Sequence, residues 1–406
     1  MAKWFYENEK VKGELTRSRK AKAAGFYPYF REFESGGVKT TVKGRPIINF
    51  SSNDYLGLTM DPRVREAAKQ AVDRYGIGLG SSRLQATTVA HIEFEKKLAE
   101  WMDVEAVLVT TTGYQAVVSS ISTLIERDCT ILIDALSHAS IIDGTFLANG
   151  FPKRNTDVRL FRHNDATHLR KLLETLKTPH AAIVAESVYS LDGDLGPMRE
   201  IADLAEEFDA MTFIDDAHGT GTIGKTGRGC VEYFGLKDRF DVVISTFSKS
   251  LGSIGGFIMT TKDIVEYMHH NARPFVFSAS LPVPVLAAAS KIVDIIRTDP
   301  EPLAKLNRNK ERMRTGLKER GFNLGQSESH IMPVMTYDEE STFIFSQTLF
   351  DAGFYLVPIV YPAVKKGVER MRCNITAGHS DEDIDRLLDT LVAIRKKLGI
   401  SCQPKE

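Results

Sequence analysis

The sequence predicts an α/β protein in which one large, mainly parallel sheet lies between helices and a smaller α+β unit follows. Two observations lead to this prediction. Short β-branched segments alternate with helical stretches through the middle of the chain, as expected for parallel strands joined by crossover helices. Beyond about residue 282 this alternation ends. We expect an N-terminal helix and connecting segment (1–50), a large domain (51–285) and a small C-terminal domain (286–406).

The spacing of apolar residues assigns the elements in order. Before the sheet, a charged helix over 1–22 leads through an irregular aromatic segment over 25–37 to a strand at 45–50. Helices are predicted at 62–75, 91–102, 169–176, 198–208, 285–296 and 381–398, with a further charged helix after residue 302. Strands are predicted at 106–110, 130–134, 182–186, 211–215, 242–246, 256–260, 331–335 and 371–376.

Composition excludes several classes of protein. The 406 residues include 52 basic and 53 acidic side chains and 43% hydrophobic residues, which is typical of a folded protein. A net charge of −1 argues against non-specific nucleic-acid binding, since that needs a basic surface. No run of about eighteen apolar residues is present to span a membrane, and the first residues do not resemble a signal or transit peptide.

Cysteine usage is typical of a reducing compartment. Cys129, Cys230, Cys373 and Cys402 lie far apart, without a CxxC pair or a Cys/His cluster at metal-binding spacing. The histidines form no HExxH motif, so zinc-dependent hydrolysis has no support. We therefore expect a cytoplasmic protein of enzyme size that needs no metal ion.

Polar and reactive residues cluster where the predicted strands end. In open α/β sheets, ligands bind beyond the carboxyl ends of the strands, where loops and helix N-termini meet. Five such clusters are Thr111 to Tyr114, Ser137-His138, Glu186 to Asp192, Asp215 to His218 and Thr246 to Lys249. Each cluster alone also has an ordinary structural explanation, such as a solvated lysine, a carboxylate that caps a loop or a packed histidine.

Together, these clusters favour pyridoxal phosphate (PLP). Lys249 follows a buried strand, where burial lowers the pKa of an amine and so favours Schiff-base formation with an aldehyde. Asp215 is placed to hold a heterocyclic nitrogen protonated. His138 suits a position over a flat ring, and His218 can donate to a phenolate. We expect the backbone amides after Thr112 to open a helix and so to be able to hold a phosphate dianion.

A nucleotide-binding loop is the competing hypothesis. Gly219 to Thr226 matches the P-loop pattern GxxxxGK[ST]. A P-loop turns directly from a strand into a helix, whereas Gly227-Arg228-Gly229 follows here and is a poor helix start. Nucleotide hydrolysis is therefore the minor alternative. The colour of the protein distinguishes the two, because a PLP protein is yellow.

Six short motifs connect these clusters in order along the chain. They are Ser51 to Gly57, Ser137 to Ser140, Glu186 to Asp194, Asp215 to Gly221, Thr246 to Lys249 and Arg370 to Arg372. Over about residues 25 to 398, the chain resembles the α-oxoamine synthases, a branch of the fold-type I PLP enzymes that includes serine palmitoyltransferase and 8-amino-7-oxononanoate synthase. The resemblance implies PLP as cofactor and an acyltransferase activity, in which an amino acid condenses with an acyl thioester and loses CO2.

The resemblance also implies a role for each motif residue. Lys249 would form the internal aldimine, Asp215 would pair with the pyridinium nitrogen and His138 would stack on the ring. His218 would complete this catalytic set and, with Ser190, approach the ring phenolate. The other residues expected around the cofactor are Thr112, Gly113, Tyr114, Glu186, Thr246, Ser248 and Ser280. Of these, Ser280 would reach the phosphate of the partner subunit, which implies a homodimer with shared active sites.

Substrate residues follow from the same resemblance. Arg372, aided by Asn53, matches the position that binds the amino-acid carboxylate, and a guanidinium meets a carboxylate bidentately. In 8-amino-7-oxononanoate synthases we expect an arginine shortly before the Tyr-Pro pair, but Ala23, Ala24, Gly25 and Phe26 precede Tyr27-Pro28 here. We therefore favour serine, or another small amino acid, with a fatty acyl thioester of coenzyme A or acyl carrier protein. That pairing points to sphingolipid biosynthesis and allows peripheral contact with a membrane.

Two departures from the family pattern keep alternatives open. The segment 80–88 lacks an expected glycine near Ala86, and Lys365 stands where a proline usually precedes Gly367. Both segments lie near the substrate in relatives, so cysteate or another amino acid is an alternative nucleophile. The remaining alternatives are 8-amino-7-oxononanoate synthase, glycine C-acetyltransferase, or a partner subunit without catalysis. The presence of Lys249 argues against the last of these.

Overall fold

The computed structural model describes residues 3–23, 25, 27–125, 127–150 and 156–400. The helices are α1 (Lys3–Glu7), α2 (Glu9–Ala23), α3 (Pro62–Tyr75), α4 (Val89–Met102), α5 (Gly113–Leu124), α6 (Ala139–Ala148), α7 (Ala166–Leu173), α8 (Met198–Phe208), α9 (Cys230–Phe234), α10 (Lys262–Asn271), α11 (Arg273–Val276), α12 (Val283–Thr298), α13 (Glu301–Glu319), α14 (Glu339–Asp351) and α15 (Asp381–Leu398). In this described part, the helices are all too short or too polar to cross a membrane.

The strands form one large and two small sheets. They are β1 (Lys39–Val42), β2 (Arg45–Asn49), β3 (Ala106–Thr110), β4 (Cys129–Asp134), β5 (Asp157–Phe161), β6 (His180–Glu186), β7 (Ala210–Asp215), β8 (Val242–Thr246), β9 (Gly256–Thr260), β10 (Ile331–Met335), β11 (Phe354–Tyr355), β12 (Val357–Ile359) and β13 (Arg370–Asn374). The large sheet has the order β3-β9-β8-β7-β6-β4-β5, and the small sheets have the orders β1-β2-β11 and β10-β13-β12.

The large sheet is mainly parallel, which confirms the predicted architecture. Strand β9 runs antiparallel to its neighbours β3 and β8, whereas β8, β7, β6, β4 and β5 pair in parallel. Both faces of the sheet are buried. In β6, Ile183 and Ala185 contribute to one apolar cluster, and Ala182 and Val184 contribute to the other. Strands buried on two faces are apolar throughout, so polar residues accumulate at their ends.

Among the described residues, four strands were not predicted from the sequence: β1, β5, β11 and β12. Among the described residues, strand β5 pairs with β4 alone; it is mostly exposed, and Asp157 and Arg159 alternate with its apolar residues. Strand β1 pairs with β2 just after the segment predicted to be irregular. Strands β11 and β12 have only two and three residues. The single predicted N-terminal helix is two helices, α1 and α2.

A buried ion pair holds the segment before α4 in place. Arg83 Nη1 and Nη2 donate to Glu95 Oε1 and Oε2 at 2.8 and 3.0 Å, and Glu95 Oε1 also accepts the Val109 N–H of β3 at 2.9 Å. The Arg83 and Glu95 side chains are 6% and 11% exposed. The unusual segment 80–88 is therefore tied to the sheet through a side chain of α4.

Removing one member of this pair is expected to destabilise the protein. Arg83→Met leaves the Glu95 carboxylate buried without its partner, which costs about 3–5 kcal/mol, whereas Arg83→Met combined with Glu95→Gln removes both charges and recovers much of the loss. The measurement is the thermal unfolding midpoint of the single and double variants. A single variant as stable as the double would show that the pair does not anchor this segment.

Candidate active site

The strand ends of the large sheet meet at a cavity of about 360 Å³. Ten of the residues that the sequence analysis selected line it: Thr112, Gly113, Tyr114, His138, Glu186, Asp215, His218, Thr246, Ser248 and Lys249. The order of the strands explains the convergence. Glu186 and Asp215 are register partners at the ends of β6 and β7, and Thr246 ends β8 next to them. Residues far apart in the sequence therefore share one opening.

One end of the cavity is built to hold an anion. Helix α5 begins there, and Thr112 caps it by accepting the Gln115 N–H at 3.0 Å. Thr246 Oγ1 lies 2.8 Å from Ser248 Oγ. A Cβ on Gly113 would lie 2.8 Å from the Thr246 side chain, so only glycine lets the helix start approach β8 this closely. Backbone N–H groups, the helix dipole and two hydroxyls together suit a phosphate.

Lys249 lies in the cavity wall. Burial lowers the pKa of the amine to about 8, and Arg372 acts in the same direction, while Asp215 and Glu186 oppose the shift. At neutral pH the neutral amine is therefore populated much more than in a solvated lysine. Such an amine can attack a carbonyl carbon and can afterwards accept a proton.

Two buried carboxyl groups lie beside the lysine. Asp215 is 8% exposed, and its Oδ1 accepts the Ala217 N–H at 2.9 Å. Glu186 is 3% exposed, and its Oε1 accepts the His138 N–H at 2.6 Å. Burial, together with the Asp215 charge, raises the pKa of Glu186 well above its usual value. Glu186 thus fixes the backbone that carries His138.

His138 is held in one tautomer by the helix that it caps. The Ser140 N–H donates to His138 Nδ1 at 3.2 Å, and Ser140 Oγ lies 2.7 Å from the same atom. Because Nδ1 accepts, the neutral ring carries its proton on Nε2. Burial and the nearby Lys249 lower the pKa of His138, although Asp215 opposes this. His138 therefore presents a neutral ring to the cavity.

A hydrogen-bond chain joins His218 to Arg372. The Tyr55 hydroxyl lies 2.8 Å from His218 Nδ1 and 3.0 Å from Asn53 Oδ1, and Arg372 Nη1 donates to the same Asn53 oxygen at 3.3 Å. Arg372 Nε also donates to the Ser190 carbonyl at 2.6 Å. Burial raises the pKa of Tyr55 to about 12 and lowers that of His218 far below its usual value, so both are neutral at physiological pH.

Sequence analysis gave Tyr55 no role and did not select His330. The rings of Tyr55 and His330 lie 3.9 Å apart between centroids, and His330 is fully buried just before β10. Tyr55 could have been selected from the sequence, because it lies two residues after the selected Asn53. His330 had none, because a single histidine before a strand is common.

Four selected residues lie outside the lining of this cavity. Asn53 and Arg372 belong to the hydrogen-bond chain, and Ser190 lines a second cavity next to His138. Ser280 is 9% exposed, and its N–H donates to the Ser81 carbonyl at 3.0 Å. None of these four therefore belongs to the lining of the first cavity.

The other segments and cysteines singled out in the sequence do not line the first cavity or lie outside the described residues. None of the described residues that line the first cavity comes from 80–88, whereas Ala363, Val364 and Lys365 line the second. The P-loop-like segment 219–226 forms turns, and the next helix, α9, starts only at Cys230. Cys129, Cys230 and Cys373 are buried and unpaired. Ala24, Phe26 and Cys402 lie outside the described residues.

Comparison with known proteins agrees with this geometry. The aminotransferase class I and II family matches residues 45–391. The chain is 37% identical over 383 residues to 8-amino-7-oxononanoate synthase of Thermoanaerobacter pseudethanolicus, covering 93% of this chain and 95% of that one. It is 38% identical over 382 residues to serine palmitoyltransferase of Sphingobacterium spiritivorum, covering 93% and 94%.

The fold agrees in the same way with a solved structure. A high-resolution structure of SPT (serine palmitoyltransferase) with a PLP internal aldimine superimposes with a TM-score of 0.91 and 34% identity, over 96% of this chain and 98% of that chain. Matches of this length extend over the large sheet and all the strand-end clusters. The chain therefore belongs to the aminotransferase class I and II family and, within it, to the α-oxoamine synthases whose motifs its sequence carries.

Proposed function

We propose that this protein is a PLP-dependent acyltransferase that condenses a small amino acid with an acyl thioester and releases CO2 and a thiol. The observation that carries the proposal is the meeting of Lys249, Asp215 and the N-terminus of α5 in one cavity. An amine of lowered pKa, a buried carboxyl group and an anion site are the three groups that PLP requires. The relatives named above, including the SPT structure with PLP, support the assignment.

The residues fit the cofactor at each of its functional groups. When bound, PLP supplies an aldehyde for Schiff-base formation and a protonated pyridine ring that takes up electrons. Lys249 would join the aldehyde, and Asp215 would hold the ring nitrogen protonated. His138 would lie against the ring with its proton on Nε2, and His218 would face the phenolate. The start of α5, with Thr246 and Ser248, would bind the phosphate.

The chain's own side chains would then orient the amino acid. The Ser190 carbonyl and Asn53 hold the Arg372 guanidinium, which can therefore meet a carboxylate without a large loss of side-chain entropy. Fixing that carboxylate sets the rotation about the bonds to Cα. Lys249, whose amine has a pKa lowered by burial to about 8, would then be placed to accept the Cα proton.

For the substrates, we propose serine or another small amino acid together with an acyl thioester of coenzyme A or acyl carrier protein. Relatives named for both serine palmitoyltransferase and 8-amino-7-oxononanoate synthase support this class. The second of these activities is therefore the alternative, with pimeloyl thioester as donor. For an enzyme that uses serine and a fatty acyl thioester, we also propose a role in sphingolipid biosynthesis and a cytoplasmic location.

We also propose that the enzyme is a homodimer with shared active sites. Ser280 lies in a loop held by the Thr111 hydroxyl, which donates to the Ala279 carbonyl at 2.8 Å. Large apolar side chains close to this loop and to the cavity are exposed, with Phe277 at 75% and Ile254 at 48%. Covering them with a second copy would remove apolar surface from water and would bring Ser280 near the partner's site. Sedimentation analysis tests the dimer.

A substrate panel tests the function. The PLP-loaded protein is titrated with serine, glycine, alanine and cysteate while its visible spectrum is followed, and thiol release is then measured with acyl thioesters of different length. We expect one small amino acid to change the spectrum and to support thiol release. If none of these amino acids supports thiol release, the proposal is contradicted. Reaction with pimeloyl thioester alone would favour 8-amino-7-oxononanoate synthase activity.

Arg372→Ala tests the carboxylate site. We expect the concentration of amino acid that half-saturates the spectral change to rise by about 10²-fold, since a charge-assisted bidentate contact contributes roughly 2–3 kcal/mol. PLP binding itself should persist, because Arg372 does not line the cofactor cavity. Arg314→Ala, at another partly buried arginine that bonds the Ser329 carbonyl, is the control. An unchanged titration in Arg372→Ala would contradict the assignment.

A further inference from the structure

A second cavity of about 820 Å³ adjoins the first. The two share His138, which lines both, so the cavities lie on either side of this residue. The walls of the second cavity are largely apolar, with Leu136, Leu191, Val364 and Val368 among them. A wall of this kind suits a chain of methylene groups.

Most of the charges in this cavity are already neutralised. Arg370 pairs with Asp192, and Arg162 lies 2.7 Å from Asp165. His163 lies between Asp134 and Asp194 at 2.9 and 2.7 Å. Burial opposes its charge, but the bonds to these two carboxylates raise the pKa of His163 to about 10. The two arginine pairs are neutral and the His163 group keeps one net negative charge, so none of these side chains presents an unpaired cation to a ligand.

Lys365 is the exception. It is exposed and lines the cavity, and no carboxylate of the described residues lies within 4.0 Å of its amine. Its neighbour Lys366 lies over the Tyr361 ring at 5.7 Å and is not among the lining residues. The cavity thus combines apolar walls with one available cation, and the ligand that matches it is an apolar chain bearing an anionic group.

We propose that this second cavity binds the acyl donor and that Lys365 determines specificity by pairing with an anionic group on that donor. The inference rests on the proposed function and extends it to the donor's chemical class. Two parts of an acyl thioester carry such a group: a carboxylate at the far end of the acyl chain, and the phosphate of the phosphopantetheine arm.

The experiment uses four donors and the PLP-loaded full chain. Pimeloyl and octanoyl groups are each presented on coenzyme A and on N-acetylcysteamine, which has no phosphate. KM is measured for wild type, Lys365→Gln and the adjacent control Lys366→Gln. We expect Lys365→Gln to raise KM about fivefold for the donors that carry the recognised group, as for an exposed ion pair, and to leave the others unchanged.

The pattern identifies the source of the charge. A change with both pimeloyl donors and with neither octanoyl donor assigns Lys365 to the chain-end carboxylate, whereas a change with both coenzyme A donors alone assigns it to the phosphate. Equal KM values in wild type and Lys365→Gln, or the same change with all four donors or in Lys366→Gln, would overturn the inference. Failure of the wild type to turn over any donor would instead contradict the proposed function.

Discussion

Lys249→Ala is expected to abolish turnover, by about 10⁴-fold or more, and to remove the visible absorbance of the PLP–lysine Schiff base. The variant lacks both the amine that joins the cofactor and the base that accepts the Cα proton, and general-base removal alone accounts for about 10²–10⁴-fold. The measurements are the absorbance spectrum after PLP is added and the rate of thiol release. The cavity keeps its other residues, so PLP should still bind without the covalent bond.

Lys225→Ala is the matched control for this variant. Lys225 is an exposed lysine in the P-loop-like segment, outside the lining of the first cavity. We expect Lys225→Ala to keep both the spectrum and the activity. Loss of activity in Lys225→Ala together with its retention in Lys249→Ala would contradict the PLP account and would favour the nucleotide hypothesis.

The lowered pKa of Lys249 also predicts the pH dependence of cofactor uptake. Only the neutral amine attacks the aldehyde, so the rate at which the PLP-free protein acquires its colour should rise with pH. It should level off above about pH 8, the pKa that the surroundings of Lys249 impose. A solvated lysine, with its ordinary pKa of 10.5, would still be gaining rate at pH 10.

Asp215→Asn is expected to lower the rate of condensation by about 10³-fold while PLP still binds. The amide keeps the size of the side chain and an oxygen for the Ala217 N–H, but it cannot hold the pyridine nitrogen protonated, and loss of one preorganised electrostatic contact costs about 10²–10³-fold. The measurement is kcat for thiol release beside the PLP content of the protein. Activity within tenfold of wild type would show that Asp215 does not serve the ring.

The next residue provides the contrast. Asp216 is fully buried, and its carboxylate accepts hydrogen bonds from Ser187, from the Thr220 hydroxyl at 2.8 Å and from the Cys230 N–H at 3.2 Å. Burial raises the pKa of Asp216 to about 6. Because these contacts are structural, we expect Asp216→Asn to lower the thermal unfolding midpoint and to affect kcat much less than Asp215→Asn does.

The sequence predicted the sheet well because its central strands are buried on both faces. In β6 the apolar run is continuous, and in β7 only Thr212 interrupts it, so their type and approximate bounds could be recognised from the sequence. Strand β5 could not, since Asp157 and Arg159 alternate with its apolar residues and leave no continuous apolar run. The same physics explains why residues such as Glu186 and Asp215, at the ends of buried strands, were selected correctly as neighbours.

Contacts between distant segments could not be predicted in this way. The Tyr55 hydroxyl and His218 are 163 positions apart, and their hydrogen bond depends on how the 51–57 segment folds against the end of β7. Lys365 was noticed only as a departure from a family pattern. Its position beside the second cavity depends on the fold bringing the 363–368 segment to the same cavity as His138 and Leu191, which no local pattern contains.

The most direct test of the account is to locate the lysine that carries the cofactor. The PLP-loaded protein is treated with borohydride, which reduces the Schiff base to a stable amine, and its peptides are analysed by mass spectrometry. The account predicts one phosphopyridoxyl group, on the peptide that contains Lys249. A protein that acquires no such group when offered excess PLP, or that carries it on another lysine, would contradict the account.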